Sequence, residues 1–239
     1  MSTHPWHKGR VVMLKEEAPN NHRFIIEMPE MERFDFYPGQ FVTLDLPIGN
    51  TTKERWRSYS IASAPEGTNR FELVIVKAEA GKGTEYIWDN WSIGTEVLVR
   101  GPQGKFVLPE SLDKDLFLIC TGTGIAPFRS MIHHIQNKNI PHKKIYLLFG
   151  CRTKADLLYY SEMRDLEFKD ENFSYLPALS REQWEGHTGY VHDVYKKLLE
   201  NKQPAYFYLC GWKNMINDAR HKLQELGYDK KDIHFELYG

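Results

Sequence analysis

Short apolar stretches separated by turn residues fill the first hundred positions of the chain. Segments 10–14, 23–28, 40–46, 57–61, 71–77 and 96–100 are predicted as strands. Between them stand breakers such as Ala18-Pro19-Asn20-Asn21, Pro38-Gly39, Pro47-Ile48-Gly49-Asn50 and Pro65-Glu66-Gly67. Six short strands at this spacing predict a small antiparallel barrel or sandwich, interrupted by one helix at about 84–91. The rhythm changes near Glu110. Leu116-Phe117-Leu118-Ile119-Cys120 is continuously apolar, as a strand buried on both faces must be. Helical patterns over 126–137, 155–169, 191–200 and 213–226 then alternate with strands over 144–149, 173–178, 205–210 and 233–236. Strands alternating with helices predict a parallel sheet with right-handed crossovers, which binds ligands beyond the carboxyl ends of its strands. The expected domains are therefore 1–110 and 111–239.

Composition narrows the classes. With 239 residues, 41% hydrophobic and 26% charged, the chain is an ordinary globular protein with enough length for two cores. A net charge of −1 argues against a nucleic-acid binder that relies on bulk positive charge. Cys120, Cys151 and Cys210 lie far apart and form neither a CxxC pair nor an iron–sulfur spacing. A reducing cytosol suits them, no stretch reaches membrane-span length, and residues 1–10 lack an apolar signal core, so the expected location is cytoplasmic. No metal site is expected: the ten histidines include no HExxH, and His133 and His134 are adjacent on a helix and face apart. Nor is there a GxSxG nucleophile elbow.

Two short segments carry candidate chemistry. In Arg57-Ser58-Tyr59-Ser60, strand alternation puts Arg57 and Tyr59 on one face and Ser58 and Ser60 on the other. A guanidinium beside a phenol suits a flat anionic ligand, and the Ser60 hydroxyl can both donate to and accept from a flavin N5. A surface strand using Arg and Tyr for cross-strand packing gives the same tetrapeptide. Thr121-Gly122-Thr123-Gly124-Ile125-Ala126-Pro127 stands where the first parallel strand meets its helix. Glycines there let main-chain amides approach a pyrophosphate, whose charge a helix N-terminus favours. A plain tight turn would share the pattern.

Taken in order, Arg57-Ser58-Tyr59-Ser60, Gly101-Pro102-Gln103-Gly104-Lys105-Phe106, Gly122-Thr123-Gly124-Ile125-Ala126-Pro127 and Cys210-Gly211 with Met215 resemble the RxYS, GPxGxF, GTGxAP and CGxxxM signatures of the ferredoxin–NADP+ reductase superfamily. The resemblance runs from about Arg10 to Tyr238. It implies an antiparallel Greek-key β-barrel that binds flavin, a five-stranded parallel doubly wound domain that binds a nicotinamide dinucleotide, and hydride transfer at their interface. It further implies that Arg57 holds the flavin phosphate, Tyr59 packs on the isoalloxazine and Ser60 hydrogen-bonds near N5. Ile75, Val76 and Lys77 match the strand that lines the ribityl and phosphate region. Gly81-Lys82-Gly83-Thr84 opens a helix with small residues and a hydroxyl; this favours FAD, with its second phosphate, over FMN, although an N-capped turn reads the same way.

Residues after the second and third parallel strands bear on the nicotinamide partner. Ser180-Arg181-Glu182 resembles a segment that holds the 2′-phosphate of NADP in relatives, and Arg152 resembles a second arginine used by bacterial members. Tyr190 is expected to stack on adenine. Together they favour NADPH over NADH, with Glu182 as the opposing charge. By the same resemblance Cys210 touches the nicotinamide without acting as a covalent nucleophile, and Glu236 and Tyr238 match a C-terminal Glu-x-Tyr whose aromatic covers the flavin. Here Gly239 follows that aromatic. The implied activity is hydride transfer from NADPH to FAD, then single-electron transfer to a carrier such as ferredoxin, flavodoxin or a hydroxylase component. A flavin reductase with diffusible flavin, and a non-catalytic flavoprotein module, are the alternatives.

Overall fold

The computed structural model describes residues 4–238, so Gly239 lies outside the described residues. Two compact units are present: one holds the chain up to Leu108 together with Ala126–Lys138, the other Pro109–Ile125 and the chain from Asn139 onward.

The first unit is built on six antiparallel strands: β1 (Trp6–Ala18), β2 (Asn21–Glu27), β3 (Phe41–Asp45), β4 (Trp56–Ser60), β5 (Arg70–Val76) and β6 (Glu96–Gln103). They lie in the order β4-β3-β6-β1-β2-β5. Just beyond β4 the chain meets the opposite edge strand, where Ala62 N donates to Glu72 O at 2.8 Å and Glu72 N donates to Ser63 Oγ at 3.0 Å. Those bonds draw the two edges of the sheet together, which removes exposed strand edges. A core of Phe24, Ile26, Val42, Phe71, Leu73 and Val99 fills the interior.

β1 is longer than its apolar pattern predicts. Residues 10–18 pair with β2, whereas residues 6–10 pair with β6, so one strand serves two neighbours. His7, Lys8 and Gly9 hide this extension from hydropathy. Gly9 is required there, because a Cβ would lie 2.8 Å from both Ile26 Cγ2 and Val99 Cγ2. A single-turn helix, α1 (Thr52–Arg55), was not expected; a capping box between Thr51 and Glu54 supports it. The next helix, α2 (Lys82–Asn90), begins two residues before its predicted start.

Buried in this unit is a carboxylate held by two guanidinium groups. Glu72 accepts from Arg23 Nε at 3.0 Å and Nη2 at 2.7 Å, and from Arg129 Nη1 at 3.3 Å. Arg129 Nη1 also donates to Ala62 O at 2.9 Å. Arg129 belongs to α3 (Ile125–Lys138), the helix that follows the Gly122–Gly124 turn. The Glu72 side chain is only 6% exposed, so its charge depends on those partners.

The second unit is a parallel sheet in the order β10-β9-β8-β7-β11-β12. Its strands are β7 (Asp115–Thr121), β8 (Ile145–Cys151), β9 (Phe173–Leu179), β10 (His187–Thr188), β11 (Ala205–Trp212) and β12 (Ile233–Tyr238). Five are those expected, and the two-residue β10 adds a sixth on the outer edge. The helices α5 (Val191–Leu198) and α6 (Lys213–Glu225) cover Phe117, Ile119, Phe207 and Leu209 with Val194, Tyr195, Ile216 and Leu223. α4 (Tyr160–Lys169) meets β9 through Tyr160 and Tyr175, 6.0 Å apart. From β7 the chain moves outward to β8 and β9, then returns to the other side of β7 as β11. The switch point therefore lies between the carboxyl ends of β7 and β11, where such sheets bind ligands. No helix among the described residues is long and apolar enough to cross a membrane.

Replacing Glu72 by alanine would strip Arg129 and Arg23 of the carboxylate they share, while Arg23 keeps its ion pair with Glu17. We expect Glu72→Ala to lower unfolding stability by about 3–5 kcal/mol in urea denaturation. A loss below about 1 kcal/mol would mean that the clamp carries no such role.

Candidate active site

In the first unit Arg57, on β4, meets the start of α2. Arg57 Nη1 donates to Lys53 O at 3.3 Å and Trp56 O at 2.9 Å, and no carboxylate pairs with it among the described residues. Its side chain runs across Gly83: a Cβ on that glycine would lie 2.9 Å from Arg57 Nε. Gly81 is the N-cap of α2 and makes no side-chain cap, which leaves the first-turn amides of Lys82, Gly83 and Thr84 without a side-chain acceptor. An unpaired guanidinium and uncapped helix amides in one place suit a phosphate group. The Thr84 hydroxyl serves the turn itself, donating to Gly81 O and accepting from Ala78 N, both at 3.0 Å. That hydroxyl is thus engaged within the turn, whereas the first-turn amides have no side-chain acceptor.

Tyr59 packs against the barrel core, and burial pushes its phenol up to about 12, so the ring stays neutral. Ser58 sits across from Thr43, with hydroxyl oxygens 3.2 Å apart, and Gln103 Nε2 donates to Thr43 Oγ1 at 3.3 Å. Ser60 is buried and pairs with Phe41 across the β3–β4 ladder. Its strand is held on the far side by the Glu72 clamp through Ala62. Ile75 is buried at the end of β5, while Val76 and Lys77 are exposed. Lys77 lines a pocket of about 250 Å³ with Asn20, Ala78, Ala80, Gly81 and Glu85. The fit between these groups and FAD is thus one of charge, cradle and exposure.

In the second unit the carboxyl ends of β7 and β11 approach closely. Gly124 lies against the Cys210 carbonyl so tightly that a Cβ would overlap it. Gly211 has φ +126°, and a Cβ there would come within 2.5 Å of Thr121 Oγ1. The same Thr121 Oγ1 accepts from Trp212 N at 3.1 Å. These contacts shape a main-chain cradle at Thr121–Gly124 into which a pyrophosphate fits. Thr123 is half-exposed at its rim.

Cys210 and Glu236 are register partners in the parallel β11–β12 pair and therefore point to one face. Tyr238, partner of Trp212, lies two residues beyond Glu236 on the same face of the pair. Burial first, and the Glu236 charge second, push the Cys210 thiol up. It stays protonated at neutral pH and behaves as an apolar surface. Ser60, the third expected catalytic residue, belongs to the first unit.

The arginine loops are tied to one another by main-chain bonds. Ser180 N donates to Cys151 O at 3.0 Å, Ser180 Oγ donates to the same oxygen at 3.2 Å, and Arg181 N donates to Arg152 O at 2.9 Å. Arg152 and Arg181 are thus neighbours at the ends of β8 and β9, both exposed and neither paired with a carboxylate among the described residues. Glu182 is otherwise engaged: its Oε2 accepts from Lys154 N at 2.6 Å. Tyr190 is the N-cap residue of α5 and stands 68% exposed. Two residues that stand out in the structure were not singled out by sequence reasoning. Arg129 stands only two places beyond Pro127 of the glycine motif, and Trp212 fills the first variable place of CGxxxM.

Burial also raises the Cys120 thiol, and it pushes Cys151 up to about 12. The pKa of a thiol raised by burial keeps it protonated below that value, so all three cysteines should resist alkylation by iodoacetamide at pH 8 and react only after unfolding. Mass spectrometry of native protein with a rapidly modified Cys210 would contradict this. Gly124→Ala should weaken dinucleotide binding by at least about tenfold while flavin stays bound, since the new methyl group meets main chain at the cradle. Equal dinucleotide affinity by calorimetry would count against the cradle.

Comparison with known proteins agrees with this geometry. Residues 8–108 match the oxidoreductase FAD-binding domain family, and residues 118–221 match the oxidoreductase NAD-binding domain family. Ferredoxin–NADP reductase B of Sorangium cellulosum is 32% identical, and the alignment covers 97% of each chain. The anthranilate 1,2-dioxygenase electron transfer component of Acinetobacter baylyi is 31% identical over 87% of this chain, which spans 60% of that relative. A ferredoxin–NADP+ reductase structure from Neisseria gonorrhoeae, with bound FAD and NADP, shares the fold with a TM-score of 0.79 at 23% identity, covering 98% of both chains. The paired cradles, the four ordered motifs and a relative similar from end to end make this chain a member of the ferredoxin–NADP+ reductase superfamily, an FAD-dependent oxidoreductase.

Proposed function

We propose that the chain takes hydride from NADPH onto bound FAD and releases the electrons singly to a protein carrier such as ferredoxin or flavodoxin. Bound FAD supplies the exchange between two-electron and one-electron chemistry. The protein supplies binding, orientation and proton control. Arg57, Lys82 and the first-turn amides of α2 neutralise the flavin diphosphate, while Tyr59 provides a neutral ring to pack against the isoalloxazine. The Ser60 hydroxyl holds a hydrogen bond at N5, donating or accepting as the proton count there changes. Cys210 offers a neutral, compact wall beside the nicotinamide, and Glu236 opposite it supplies a carboxylate on the same face. Thr123 and Gly124 receive the nicotinamide diphosphate, and Tyr190 stacks on the adenine.

Choice of NADPH rests on one observation: the Arg152 and Arg181 loops are bonded together, and both guanidinium groups remain available for a 2′-phosphate. Three free thiols suit a reducing compartment, in keeping with a cytoplasmic enzyme. A second reading replaces the small carrier with an oxygenase. It is supported by relatives such as the anthranilate dioxygenase component, although this chain spans only 60% of that protein.

Arg181→Ala should raise the KM for NADPH by about tenfold or more while sparing NADH, the expected loss of one charge-assisted phosphate contact. Parallel effects on both coenzymes would remove the 2′-phosphate assignment. Ser60→Ala should keep its flavin yet slow NADPH-driven bleaching by about a hundredfold in anaerobic stopped flow. Unchanged rates would rule out its role at N5. Reduced protein mixed with ferredoxin, flavodoxin or free flavin then identifies the acceptor; flavin lost on dialysis would indicate a flavin reductase instead.

A further inference from the structure

The connection from β9 to β10 is short for the work it does. The two strands run parallel, with His187 opposite Ala178 and Thr188 opposite Leu179, and Gly189 N donates to Leu179 O at 2.8 Å. Parallel neighbours ordinarily need a crossover of about a dozen or more residues, usually with a helix that packs on the sheet. Residues 180–186 make this one with no helix. The indole of Trp184 fills it instead. Nε1 donates to His187 O at 2.8 Å, and Gly186 lies so close to the ring that a Cβ would come within 2.4 Å of Cζ2. The ring also makes a T-shaped contact with Tyr160 of α4, centroids 6.4 Å apart, and Tyr160 stands in turn against Tyr175 of β9. The result is a compact loop closed around its own side chain and docked on the neighbouring helix.

The polar side chains of this loop are bonded as well. Glu182 Oε2 accepts from Lys154 N at 2.6 Å, Gln183 Oε1 from Thr188 Oγ1 at 3.5 Å, and Glu185 Oε1 from Lys154 Nζ at 3.0 Å. From 181 to 185, Arg181 alone has a side chain without a partner among the described residues. Its main chain is fixed, since Arg181 N donates to Arg152 O at 2.9 Å. The Lys154–Glu185 pair is exposed on both sides, and such pairs hold little. The half-buried indole, bonded and packed on two sides, is the larger brace. A loop braced everywhere but at one guanidinium presents that group already ordered, which lowers the cost of binding an anion.

We propose that Trp184 is a positioning residue for coenzyme choice: by filling the 180–186 loop it holds Arg181 where a ribose 2′-phosphate meets it, without touching the coenzyme itself. The inference rests on the NADPH reading above and adds to it the residue that makes the Arg181 contact rigid.

Calorimetry of flavin-loaded protein with adenosine 2′,5′-bisphosphate and with adenosine 5′-monophosphate, which lacks the 2′-phosphate, tests it. Trp184→Ala should weaken the bisphosphate by about fivefold or more and leave the monophosphate unchanged. Trp184→Phe keeps a ring for Gly186 and Tyr160 but loses the N–H bond, and should weaken the bisphosphate by about two- to threefold; it decides the matter alone if the alanine variant does not fold. In an Arg181→Ala background the Trp184 changes should have no further effect, because they act through Arg181. In turnover, the KM for NADPH should rise by the same factor while the KM for NADH stays constant. Wild-type bisphosphate affinity in either variant, equal losses for the two nucleotides, or an undiminished effect in the absence of Arg181 would each overturn the proposal. Wild-type protein that binds the bisphosphate no more tightly than the monophosphate would instead overturn the NADPH reading beneath it.

Discussion

One buried carboxylate organises the first unit. Glu72 joins β5 to β2 through Arg23, to the segment after β4 through its own main chain, and to α3 through Arg129. The two guanidinium connections span 49 and 57 positions, so neither forms cheaply on its own. Together they are mutually conditional: the carboxylate tolerates burial only because both guanidinium groups are present, and those groups are held by the elements they connect. The same residue fixes the main chain immediately beyond Ser60. Placement of the residue assigned to N5 is therefore an outcome of barrel closure.

The nucleotide end of the second unit follows a different logic, set by close approach of main chain to main chain. Gly124, Gly211 and Gly122 matter there for the space they leave, since side chains would collide with Cys210 or Thr121 or be strained at positive φ. What remains is a surface of amides, carbonyls and one threonine hydroxyl. Charge enters only at the rim, from arginines on neighbouring strands. In the proposed reading, diphosphate is met by main-chain geometry and discrimination between coenzymes falls to a few exposed side chains.

The apolar pattern disclosed most of the architecture because burial on both faces leaves an unmistakable run, as in 116–120, and because turn residues bound the barrel strands. It missed the start of β1, where polar residues and Gly9 sit in a strand for reasons of curvature. It missed α1, although Thr51 and Glu54 spell its cap, since one turn has no periodicity. At the proposed site, sequence reasoning singled out Arg57, Gly83, Gly124 and Cys210. It could not reveal that Thr84 spends its hydroxyl on a turn or that Glu182 is bonded to Lys154. Those are facts of local competition for hydrogen bonds. Arg129 and Glu72 are 57 positions apart, and no local pattern joins them.

The bonding between the loops after β8 and β9 has an evolutionary consequence. Because Ser180, Arg181, Cys151 and Arg152 are tied through main-chain atoms, apart from one serine hydroxyl, the scaffold of the coenzyme rim does not depend on either guanidinium. Descendants of this chain could exchange those two side chains for acidic or small ones without dismantling the loops. Preference between phosphorylated and unphosphorylated coenzymes is in that sense a detachable trait, adjustable by point substitution while the hydride-handling machinery is inherited intact.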